Sequence, residues 1–161
     1  MYSYTNRRHE LVALTHRLYE RAWWRGQLYR IWAKLTGKPT HLPLLSDVRG
    51  LYSVIDTLEP IRRPIRVERI IGTNAGLGFD IHFCPVDRRT RDRWLSVAEL
   101  MIDDPIAIPP IQVVEVKGDY YVIDGHHRVS VARILDHLYL DADVTQWLPR
   151  SESAGALEIS T

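Results

Sequence analysis

Five consecutive residues, Asp124-Gly125-His126-His127-Arg128, carry the strongest chemical signal in the chain. Tyr120-Tyr-Val-Ile before them reads as a strand, and Val129, Val131, Ala132, Ile134 and Leu135 after them read as a mostly buried helix. A strand-to-helix junction leaves the first N–H groups of the helix unpaired and partly positive. Gly125 allows a tight reversal and lets a ligand come near the backbone. Arg128 offers a forked donor suited to phosphate or carboxylate, and His126 and His127 add further donors. Asp124 can cap the helix or orient an imidazole. The expectation is an anion site, for phosphate in particular; a purely structural helix cap is the plainer alternative.

A second constellation is Phe79-Asp80-Ile81-His82, expected to be extended, with Asp80 and His82 two residues apart on one side. It follows the glycine-rich loop Gly72-Thr-Asn-Ala-Gly-Leu-Gly78, and such a pair can act as a general base or hold a metal; Asp80 and His82 are the candidate catalytic residues. The alternative is a loop aspartate capping its own backbone beside a surface histidine. Arg88, Arg89, Arg91 and Arg93 form a basic run around a helix start, read equally as an anionic contact or a solvated face. Thr36-Gly37-Lys38 lacks the earlier glycine of a phosphate loop and has Pro39 where Ser or Thr belongs. No Gly-x-Ser-x-Gly or His-Glu-x-x-His pattern occurs. Cys84, the single cysteine, excludes an internal disulfide and a cysteine-cluster zinc site; among Phe83, Pro85 and Val86 it reads as a buried, inert thiol. No metal ligands are assigned.

The elements that must position these residues follow from periodicity. Arg7 to Leu35 is helical, with Leu11, Leu14, Leu18 and Ala22 on one face and Trp24, Leu28, Ile31 and Leu35 on another. The stripes are displaced near Gly26, so either one helix bends or rolls there or two helices meet. Trp23, Trp24 and Trp32 are expected to pack against the body. Residues 39–66 hold four of the nine prolines and read as a connector with little regular structure, apart from a short helix capped by Ser46. Val67 to Ile71 is the expected first strand. Asp92 to Met101 is a helix with Thr90 at its N-cap and Trp94, Leu95, Ala98 and Met101 inward. Gln112 to Val116 and Tyr120 to Asp124 make a hairpin around Gly118-Asp119, and Leu138 to Trp147 is a last strand. The division expected is a basic helical arm at 1–38, a proline-rich connector at 39–66, an α+β domain at 67–148 and a flexible tail at 149–161.

At 161 residues, with 45% hydrophobic and 25% charged, the composition is that of one soluble globular domain. No apolar run approaches the roughly 20 residues of a membrane span, and the N-terminus has no apolar signal region. A cytoplasmic protein with no membrane partner is the simplest reading. The net charge of +1 hides an asymmetry: residues 1–49 hold nine Lys or Arg against three Asp or Glu. A basic arm on a mildly acidic body is compatible with nucleic-acid or membrane-surface contact, or with a solvated helix face.

Ile111-Gln-Val-Val-Glu-Val followed by Tyr120-Tyr-Val-Ile-Asp-Gly-His-His-Arg-Val-Ser-Val-Ala-Arg133 resembles the ParB and sulfiredoxin superfamily, over about residues 67–147. The pairing of Thr90-Arg91-Asp92-Arg93-Trp94 with Pro109-Pro110 looks like ParB-like domain proteins of bacteria. The resemblance implies a small mixed sheet with packed helices, and a turn after the hairpin that holds nucleotide phosphates through Gly125, His126, His127 and Arg128. It implies a nucleoside triphosphate ligand, CTP or ATP, with Mg2+, as in partition proteins, in sulfiredoxin and in a free-serine kinase. His126 stands where sulfiredoxin has its reactive cysteine, which argues against sulfinic acid reduction. The chain leaves no room after Trp147 for the DNA-reading and dimerisation domains of a partition protein, so a complete one is not expected. Three functions follow: a nucleotide-binding regulatory or DNA-associated module; a phosphotransferase or nucleotide hydrolase using Asp80 or His82; or a protein-interaction module without nucleotide. The sequence shows no carboxylate cluster suited to the metals of a nuclease.

Overall fold

The computed structural model describes residues 2–49, 59–75 and 78–147. The chain is an α+β domain. Its sheet has five strands in the order β1-β5-β3-β4-β2: Ile61–Arg66 (β1), Ile70–Thr73 (β2), Ile111–Val116 (β3), Asp119–Asp124 (β4) and Tyr139–Trp147 (β5). β1 and β5 run antiparallel, β5 and β3 parallel, β3 and β4 antiparallel, and β4 and β2 parallel, so the sheet is mixed. Among the described residues four helices accompany it: Tyr2–Thr36 (α1), Leu45–Arg49 (α2), Arg91–Asp103 (α3) and His126–Ile134 (α4).

The period-two pattern of β3 decides the layering. Ile111 and Val113 join Val122, Ala142 and Val144 on the face that α3 and α4 cover with Trp94, Ala98, Val129 and Ala132. Val114 and Val116 point the other way, where Tyr121 and Leu45 of α2 make a smaller second cluster. The Trp94 indole donates to Ser130 Oγ at 2.8 Å, which satisfies its buried N–H and ties α3 to α4.

Three local expectations are corrected. β1 lies inside the segment read as connector, and the first strand is Ile61–Arg66, with a 3-10 turn at Val67–Arg69 before β2. Pro64 hid it, but β1 is an edge strand with only β5 beside it, and an edge tolerates a residue without an N–H. Ser46 lies within α2, which starts at Leu45, and its hydroxyl reaches Asp47 at 3.5 Å instead of capping. Thr90 occupies the N-cap of α3 in helical conformation, and its hydroxyl donates to the Asp87 carbonyl at 2.6 Å, leaving no side-chain cap. The expected tail, 149–161, lies outside the described residues.

α1 is one helix, and of its two apolar stripes the one with Leu18 and Ala22 meets the body, while the one with Trp24, Leu28, Ile31 and Leu35 does not. Thr15, Tyr19, Ala22 and Ala33 are buried against the body, and Gly26 with them. A Cβ on Gly26 would lie 3.1 Å from the Cys84 Cβ and from the Pro85 carbonyl oxygen, so small residues let the helix approach closely. Trp23 packs on the core and carries the Arg88 guanidinium 4.5 Å above its ring, whereas Trp24, Leu28, Ile31, Trp32 and Leu35 face outward.

Candidate functional site

β4 ends at Asp124, Gly125 turns the chain at φ +106°, and α4 starts at His126. The first helical bond of this turn runs from the Val129 N–H to the Gly125 carbonyl at 3.0 Å. Among the described residues, the N–H groups of His126, His127 and Arg128 have no acceptor. They are the unpaired donors of a helix start, and no side chain caps them. Beside them is a cleft of about 170 Å³ lined by Phe79, Arg93, Val97 and residues 124 to 128. It has room for a phosphate or a short phosphate chain and not for a whole nucleotide, whose sites occupy roughly 300 Å³ or more. A larger groove, about 1040 Å³, runs between the start of α1 and α3, but there Arg7 pairs with Asp103 across the gap at 3.1 Å.

Each sequence-assigned residue has a definite place. Arg128 is not a free fork: one guanidinium nitrogen donates to the carbonyls of Pro109 and Pro110 at 2.6 Å each, and the other to Asp124 Oδ2 at 2.6 Å. Its side chain is 11% exposed. Asp124 therefore neither caps α4 nor orients an imidazole. The two expected roles are exchanged for one structural tie, which pins the Pro109-Pro110 segment to the turn. His126 shares a 2.6 Å hydrogen bond with the Thr73 hydroxyl of β2, which also accepts from the Ala75 N–H at 3.0 Å. Burial lowers the His126 pKa, and Asp124 opposes the shift. His127 keeps a buried Nε2 with no hydrogen-bond partner among the described residues.

Burial, reinforced by Arg93 and His126, pushes the His127 imidazole down to about 4 from an ordinary 6.5. The unfolded chain thus takes up a proton below about pH 6.5 that the folded chain refuses until about pH 4. Stability is full above the upper value and declines as pH falls toward the lower one. Allowing for the partial exposure of the ring, the loss is about 1–2 kcal/mol. Denaturant midpoints measured near neutrality and near pH 4.5 should differ accordingly, and His127→Asn should flatten the dependence.

Asp80 and His82 are not side by side on an extended segment. The Phe83 N–H donates to the Asp80 carbonyl at 2.9 Å, and the Asp80 N–H to the Cys84 carbonyl at 3.0 Å, so the chain folds into a tight turn. Asp80 is buried, with Oδ1 accepting from the amides of His82 and Cys84 at 2.9 and 2.8 Å. This is a side chain tying its own loop, and burial raises its pKa despite those bonds. The His82 ring is exposed and stands edge-on to Tyr29 of α1, 4.6 Å between centroids. Neither residue lines the cleft. Phe79 is the member of that segment that meets the turn, stacked 6.3 Å from His126 and edge-on 5.2 Å from His127. Cys84 is buried, with its thiol pushed up to about 12 by burial, as its apolar neighbours suggested.

Of the basic run, three members are employed structurally. Arg88 pairs with Glu20 at 3.6 Å, Arg89 with Asp87 at 2.8 Å, and Arg91 contacts His16 Nδ1 at 3.1 Å. Arg93 has no such tie among the described residues and stands at the cleft. Sequence reasoning placed Arg93 in a basic run without linking it to the turn. It missed Thr73 and Val97 as neighbours of the site. The helical spacing of Arg93, Trp94 and Val97 was the available signal: with Trp94 buried, its neighbours flank the α3–α4 seam.

Fold and turn together define an α+β domain with an anion-sized cleft at a strand–glycine–helix junction. No protein-family model matches the chain, and no curated protein matches it. Among solved structures, the sulfiredoxin from Arabidopsis thaliana aligns with 19% identity and a TM-score of 0.37, over 54% of this chain and 86% of that one. A superposition so loose bears on neither ligand nor activity, and the functional reading rests on the turn itself.

Proposed function

We propose that the domain binds the phosphate tail of a nucleotide at the start of α4 and acts as a regulatory, nucleotide-dependent module. The observation that carries this reading is the row of unbonded N–H groups at His126, His127 and Arg128 opening on a cleft beside Arg93. Backbone amides at a helix start and one guanidinium without an internal tie are a sufficient set of donors for a di- or triphosphate. The donor role passes from Arg128, which is tied internally, to the amides and Arg93. The nucleoside would lie outside the small cleft, so base preference between CTP and ATP would come from contacts beyond it. Mg2+ would reach the site on the phosphates. Catalysis through Asp80 or His82 forms no part of the proposal, because the first is enclosed in its own turn and the second stands against Tyr29.

Calorimetric titration with CTP, ATP and GTP, with and without Mg2+, tests it. At least one triphosphate should bind, and inorganic triphosphate should compete. Arg93→Ala should weaken binding about tenfold or more, the scale of one charge-assisted hydrogen bond, with the melting temperature unchanged. Absence of binding by every triphosphate would overturn the reading.

A further inference from the structure

We propose that the outward face of α1 lies on an anionic lipid surface. At 100° per residue, Trp24, Leu28, Ile31 and Leu35 fall within an arc of about 60°, opposite the buried Ala22, Gly26 and Ala33. Leu35 is 82% exposed, Leu28 63%, Ile31 59% and Trp24 58%, with Trp32 beside them at 49%. The helix is apolar on both sides, and only one side faces the body. Single exposed apolar residues need no explanation, but five in one continuous stripe do.

Charge narrows what covers the stripe. From Arg17 to Lys38 there are six cations, Arg17, Arg21, Arg25, Arg30, Lys34 and Lys38, against the single acid Glu20. Glu20 is engaged by Arg88, and none of the six forms an ion pair among the described residues. The occupant must therefore supply both apolar surface and negative charge. A second copy of this chain supplies the first and brings a matching excess of cations. A nucleic acid supplies the second, and its bases can stack on indoles, but Leu28, Ile31 and Leu35 would stay wet against phosphates. An anionic bilayer supplies both: acyl chains for the aliphatics, the headgroup zone for the indoles, and lipid phosphates for the flanking Arg and Lys. Shape agrees, because the stripe is a convex crest along one helix and not a groove. No helix of the described residues is long and apolar enough to cross a membrane, and lying on one does not require it.

Sedimentation of the full chain with vesicles tests the proposal. The chain should co-sediment with phosphatidylcholine vesicles that contain phosphatidylglycerol and stay in solution with phosphatidylcholine alone. Leu28→Asn combined with Leu35→Asn should lower the partitioning about tenfold or more, with an unchanged melting temperature, since both side chains are largely solvent-facing. Arg21→Gln with Lys34→Gln should lower it in proportion to the anionic lipid content. The proposal is overturned if phosphatidylglycerol vesicles leave the chain in solution, or if the Leu28/Leu35 variant sediments like the parent. It is equally overturned if the stripe is occupied by a second copy, seen as a dimer that the same variant dissociates and that does not bind vesicles.

Discussion

Replacing Gly125 with alanine is expected to destabilise the domain by about 2–6 kcal/mol and to abolish anion binding at the turn. Two separate costs add. The residue sits at φ +106°, where an L side chain is strained, a cost of roughly 1–3 kcal/mol. The new Cβ would also lie 2.5 Å from Ile111 Cγ2 and 2.9 Å from Ile111 Cβ. Ile111 is buried at the start of β3 and has little room to retreat, so overpacking adds roughly 1–3 kcal/mol more. Denaturant unfolding of parent and variant reads the loss directly. A variant as stable as the parent would mean that the backbone reversal at Gly125 is not as described, and with it the exposure of the three amides.

The second large effect belongs to Arg128→Ala. Three acceptors, the carbonyls of Pro109 and Pro110 and the carboxylate of Asp124, lose their donor together. With Asp124 half exposed, water recovers part of the deficit, and a loss of about 2–3 kcal/mol remains. Arg128→Lys should recover little of it, because an ammonium on a flexible stem cannot reproduce a fork spanning two carbonyls and a carboxylate. The expected signature is lost stability, with the region between α3 and β3 exchanging its amide hydrogens faster. If Arg128→Ala instead kept full stability and lost only nucleotide affinity, the phosphate role that the sequence suggested for this side chain would be restored.

The different fates of these residues show how much of the site was legible beforehand. The hairpin, the turn and α4 were all readable, because the β-branched and aromatic runs Val113-Val-Glu-Val and Tyr120-Tyr-Val-Ile and the breaker Gly125 are local signals. The helices at Trp94 and at the N-terminus were legible for the same reason. β1 was not, since Pro60 and Pro64 describe an edge strand only once its neighbour β5, nearly eighty residues later, is known. On α1 the stripe through Leu18 and Ala22 was legible, but Trp24 and Trp32 were expected against the body on size alone, whereas Ala22, Gly26 and Ala33 allow the close contact that decides which face is buried. The composition of the site was legible and its division of labour was not. Arg128 and Asp124 stand four residues apart, a spacing that permits a mutual ion pair as readily as a ligand contact, and only the Pro109-Pro110 carbonyls tip the balance. Asp80 similarly turns inward through bonds to backbone amides that no periodicity announces.

The central claim is that the open N–H groups at the start of α4 receive phosphate, and amide resonances report on it atom by atom. In a titration of the isotopically labelled protein with inorganic triphosphate, and then with CTP and ATP, followed by 15N–1H correlation spectra, the signals of His126, His127 and Arg128 should move first, furthest and saturably. Arg93 should follow, and the α1 signals from Arg17 to Lys38 should stay close to their starting positions. Shifts spread over the cationic face of α1, with residues 126–128 unmoved at saturating ligand, would contradict the account.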